Sequence, residues 1–106
     1  GVHFVCLGIV VGQVADEKRK RRYAPLGSLD FLVSDLKEKV GTSGRPVVIT
    51  QHVDMLRYAQ PLPVEDKKAE GMEWDPSDVK GFHDALKGYT VAAILYGHTH
   101  ARNVYR

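Results

Sequence analysis

Three short apolar runs alternate with two segments of helical spacing, and that alternation restricts the chain to an α/β fold. The runs are residues 2–10 (Val2, Phe4, Val5, Leu7, Ile9, Val10), 46–50 (Pro46-Val47-Val48-Ile49-Thr50) and 89–96 (Tyr89 to Tyr96). They are rich in β-branched residues and almost wholly apolar, the signature of strands buried on both faces. Between the first two, Leu29, Leu32, Val33, Leu36 and Val40 fall on one helical face. Ser28 is placed to cap that helix, Asp30 and Lys37 with Lys39 suit its dipole, and Gly41 stops it. Between the last two, Asp75-Pro76-Ser77-Asp78 is a helix start. Val79, Phe82, His83 and Leu86 share the inner face, and Gly88 ends the helix. The order β-α-β-loop-α-β predicts a βαβ-type layered sheet of parallel strands covered by helices. In such sheets ligands gather beyond the carboxyl ends of the strands.

The chain has 106 residues, enough for one small core. Fifteen basic residues against thirteen acidic ones is a near balance, so nucleic acid is not an expected partner. The uneven part is the run Lys18-Arg19-Lys20-Arg21-Arg22, a solvated loop by default. It has only Tyr23 nearby for base stacking. Cys6 stands alone in the first apolar run and reads as a buried, inert thiol. No run of eighteen apolar residues is present, so no spanning helix is expected. No signal peptide is seen, and the cytoplasm is favoured. Gly1 falls within strand-like sequence, so an internal piece of a longer chain is one expectation.

The segment 53–74 has no periodicity and is broken by Pro61 and Pro63. Irregular connections of this length are uncommon in a small domain and often functional, so it is the candidate substrate cap. Arg57, Tyr58, Lys67, Lys68, Trp74 and Arg102 are candidate substrate contacts, each with a solvent-facing reading beside it.

The chemistry sits at two strand ends. Pro46–Thr50 runs into Gln51-His52, and Tyr89–Tyr96 runs into Gly97-His98-Thr99-His100. Neutral imidazole is the commonest metal ligand. His98 and His100 lie two apart, so in extended backbone they point the same way. Gly97 is placed to turn the chain just before them. Thr99 can hydrogen-bond nearby but reads first as structural. His3 reads as structural or surface, and His83 as core or its edge.

Gly97-His98-Thr99-His100 resembles the terminal Gly-His-x-His motif of the calcineurin-like metallophosphoesterases. Val47-Val48-Ile49-Thr50-Gln51-His52 is similar to that family's preceding motif, a hydrophobic strand ending in a metal-binding histidine. The helix around Ser28-Leu29-Asp30-Phe31-Leu32 and Leu36 is similar to the one that precedes that strand. The resemblance spans nearly the whole chain, as the carboxyl-terminal half of a metallophosphoesterase-like domain. It implies half of a four-layer α/β/β/α architecture and a centre of two divalent metal ions (manganese, iron, zinc or cobalt). It implies that His52 and His98 ligate one ion and His100 the other, with no residue here given a catalytic role. The activity it implies is hydrolysis of a phosphoester by a metal-activated hydroxide, on a phosphorylated substrate whose class stays open.

The family's earlier motifs, Asp-x-His, Gly-Asp-x-x-Asp and Gly-Asn-His-Asp/Glu, have no counterpart in residues 1–106. Two divalent cations about 3.5 to 4 Å apart repel and need bridging oxygen ligands. Three neutral imidazoles supply no negative charge. The expectation is an enzyme whose remaining ligands come from an amino-terminal half, with residues 1–106 alone inactive. The alternatives are a catalytically impaired phosphoesterase-like scaffold and a module that binds a polyanion or protein.

Overall fold

A computed structural model of the protein describes residues 1–8, 11, 27–54, 74, 76–98 and 104, with Pro76 and Ser77 described in backbone only. The elements are β1 (His3–Cys6), α1 (Ser28–Asp35) continuing as a π-helical turn (Leu36–Val40), β2 (Val47–Val53), α2 (Pro76–Leu86) and β3 (Val91–Gly97). The sheet is parallel throughout, in the order β1-β2-β3. Parallel neighbours need a crossover, and helical segments supply both. The expected α/β layering of parallel strands and helices is therefore present.

The core forms where the apolar stripes of the helices meet one face of the sheet. Leu29, Leu32, Leu36 and Val40 of the α1 segment and Phe82 of α2 are buried with Val5, Val47, Ile49 and Val53. The helices lie against each other closely. A Cβ on Gly81 of α2 would stand 2.8 Å from Leu29 Cδ2. Gly41 and Gly88 end their helices with φ of 51° and 86°, in the left-handed region that a side chain resists.

Several details depart from the sequence expectations. The cap of α1 is Gly27, with φ 72°, and Ser28 is the first helical residue. The Gly27 carbonyl accepts the Phe31 N–H at 2.8 Å. Val33 lies on the flank of its stripe, 47% exposed, lining a groove between α1 and α2. His83 is exposed rather than core, because the stripe Val79-Phe82-Leu86 turns it aside. Its ring still packs edge-on near Phe82, with centroids 6.2 Å apart.

Cys6 is exposed. The reason is the sheet's second face, which no described helix covers. Residues alternate across a strand, so Val5 enters the core while Phe4 and Cys6 face the other way. On β2, Val47, Ile49, Gln51 and Val53 are buried and His52 is exposed. Phe4 is 64% exposed and Leu95, from β3, 54% exposed. At the amino end of the sheet, His3 Nε2 lies 2.5 Å from Asp35 Oδ2, tying β1 to the last residue of α1. Among the described residues no helix is long and apolar enough to cross a membrane.

Candidate metal centre at the carboxyl edge of the sheet

The parallel arrangement directs all three strands the same way, so β2 and β3 end side by side. His52 lies near the end of β2, and His98 follows β3 directly. From Thr50 to Val53, β2 advances three residues while its partner advances only from Leu95 to Gly97. This irregularity falls on Gln51-His52. It offsets an opposite shift between Val47 and Val48, and such interruptions of regular pairing are common beside functional sites. The His52 N–H remains anchored, donating to the Gly8 carbonyl at 2.8 Å.

His98 is turned by its own backbone. Its φ is 73°, the one positive value at a non-glycine residue among those described. The turn expected at Gly97 thus falls one residue later. Histidine visits this region more readily than most residues, yet the conformation costs roughly 1 to 2 kcal/mol relative to ordinary backbone. Backbone strain of this type clusters at functional sites.

These two devices bring the rings together. His98 Nδ1 and His52 Nε2 are 3.1 Å apart, with ring centroids 5.0 Å apart and planes at 78°. His52 is exposed and His98 half-buried. Two readings of the contact are chemically sound. One ring can donate an N–H to the other's lone pair, provided that one nitrogen is protonated and the other is not. Alternatively both nitrogens can face one cation. Zinc–imidazole bonds of about 2.0 to 2.1 Å place two ligand nitrogens roughly 2.8 to 3.0 Å apart at octahedral angles and roughly 3.3 to 3.4 Å apart at tetrahedral ones. The observed 3.1 Å lies between the two spacings.

Beneath the pair, the end of β2 is pinned by buried polar contacts. The Val53 carbonyl accepts the Trp74 indole N–H at 3.1 Å and the Gln51 side-chain amide at 3.3 Å. Among the described residues, Gln51 Oε1 is buried with no hydrogen-bond partner. Trp74 is 2% exposed and packs edge-to-face on Phe82, with centroids 5.2 Å apart. The expectation of Trp74 as a solvent-facing residue or a substrate contact is therefore corrected: it is core. Asp54, two residues after His52, is also buried. Sequence reading missed both, since they sit at the ends of a stretch that carries no periodicity.

The structure brings together His52 and His98. His100, Thr99, Arg57, Tyr58, Lys67, Lys68, Arg102 and the basic run Lys18–Arg22 lie outside the described residues, as does 55–73 of the expected cap. Among the described residues, no group of three or more His, Cys, Asp or Glu side chains is arranged to hold a metal ion. No family model matches the chain, and searches of curated proteins and of solved structures likewise return no match.

Proposed function

We propose that the chain carries the histidine part of a two-metal phosphoesterase centre, as its resemblance to the calcineurin-like metallophosphoesterases implies. The observation that carries this reading is the 3.1 Å approach of His52 Nε2 to His98 Nδ1 at the carboxyl edge of a parallel sheet. His52 and His98 would hold one divalent ion, and His100 would serve the second. Such ions lower the pKa of water and clamp phosphoryl oxygens. The imidazoles' part is to stay neutral, keep a lone pair on the facing nitrogens and hold their spacing. Carboxylate ligands would come from outside residues 1–106, since neutral imidazoles cannot offset the repulsion between two cations.

The sheet face that no described helix covers supports the four-layer form of the same reading. Phe4 and Leu95 present an apolar pleated surface of the sort a second sheet covers at about 10 Å spacing.

Cobalt or zinc titration tests the proposal. The unaltered chain should bind one ion, and His98→Ala or His52→Ala should weaken binding by well over about tenfold. Equal affinity in all three proteins would rule it out. In the complete protein, hydrolysis of p-nitrophenyl phosphate should require added divalent metal and be lost in His98→Ala.

A further inference from the structure

We propose that Trp74 is a positioning residue for the His52–His98 pair, acting through the Val53 carbonyl. The inference rests on the metal reading above and adds a residue whose sequence setting gives no hint of the role.

His52 sits where β2 departs from regular pairing with β3, between the matched positions Thr50–Leu95 and Val53–Gly97. The interruption removes regular ladder contacts that would otherwise hold the strand at His52. Two anchors bracket it. On the amino side the His52 N–H is held by the Gly8 carbonyl at 2.8 Å. On the carboxyl side the Val53 carbonyl accepts hydrogen bonds from the Trp74 and Gln51 side chains. The Gln51 bond is the longer, and among the described residues the same side chain's carbonyl oxygen is buried without a partner. The Trp74 bond is the better formed, and its donor is rigid. The indole is 2% exposed and braced on Phe82, itself fully buried in the core of α2. Trp74 thus links the helical core to the end of the interruption, one residue beyond a ligand nitrogen. Ligand sites depend on such outer contacts to hold their geometry.

The test separates this role from simple core packing. Trp74→Phe keeps an aromatic ring against Phe82 and removes the N–H. Replacement of Trp74 by benzothienylalanine keeps the bicyclic shape as well, and so remains informative if Trp74→Phe folds poorly. Cobalt affinity, measured on the folded fraction, should fall about 10- to 100-fold in both proteins. In the metal-free proteins, nitrogen and proton resonances of the His52 and His98 rings should shift toward those of separated imidazoles. A packing role alone would lower the melting temperature without moving either readout. Unchanged affinity and ring resonances, with binding still abolished by His98→Ala, would overturn the role of Trp74 and leave the metal reading intact. If the unaltered chain fails to bind cobalt, or His98→Ala binds as well as it does, both fall.

Discussion

The two ends of the sheet each hold a histidine contact, and the contacts are chemically opposite. At the amino end, His3 meets the carboxylate of Asp35 at 2.5 Å, with both side chains only 16% exposed. At the carboxyl end, His52 meets the imidazole of His98 at 3.1 Å. An imidazole facing a carboxylate is satisfied by its partner, whatever its own protonation, provided an N–H points at the oxygen. An imidazole facing another is joined to it by a shared proton or a shared cation. The first contact joins β1 to Asp35, the residue at which α1 passes into its π-helical turn. The second is made where the pairing of β2 is irregular and where His98 takes a left-handed backbone. Of the residues in the two contacts, only His98 carries a positive φ.

The comparison breaks first if the two ends prove interchangeable for metal. His52→Ala should remove most cobalt binding, whereas His3→Ala should leave the affinity within about twofold, because it touches nothing at the far edge. The next effect is on stability. Phe82→Ala should cost about 3 to 5 kcal/mol in urea unfolding, from the cavity beneath Trp74. Asp35→Ala should cost about 1 to 3 kcal/mol by leaving His3 without its acceptor. A double cycle with His3→Ala should recover much of that loss, and strict additivity would mean that the contact contributes nothing. Smallest is the outer surface of α2, which serves neither end. Hydrogen bonds from Lys80 and then Lys87 hold the Asp84 carboxyl down at about 2, against an ordinary value of 3.8. A depressed carboxyl of this kind stabilises fully above its unfolded pKa and loses that contribution as the pH falls through its folded value. Asp84 is solvent-exposed and screened, so Asp84→Asn should leave the unfolding curve at pH 7 nearly unchanged.

Much of the layering was legible because it rests on periodicity and punctuation. Val47 and Ile49 mark a strand by composition, Leu29-Leu32-Leu36 marks a helix by spacing, and Gly41 and Gly88 mark ends that require positive φ. His52 and His98 were placed at strand ends by the same logic, and parallel topology then puts those ends together. What escaped depends on which faces are covered and on local backbone detail. Cys6 is exposed on a sheet face that no described helix covers, a fact no strand states for itself. The π-helical turn at Leu36–Val40 leaves no trace in an apolar stripe that still buries Leu36 and Val40. The irregularity at Gln51-His52 is a mismatch between two strands, so neither strand alone records it. Trp74 escaped because its burial is decided by a carbonyl 21 residues earlier in the chain.

Trp74 is the chain's only tryptophan. The same indole that braces β2 is therefore a built-in optical reporter for the edge where the histidines meet. Its emission, blue while the ring stays sealed against Phe82, will redden only when that seam opens, and a quenching ion captured nearby will dim it without any label being attached.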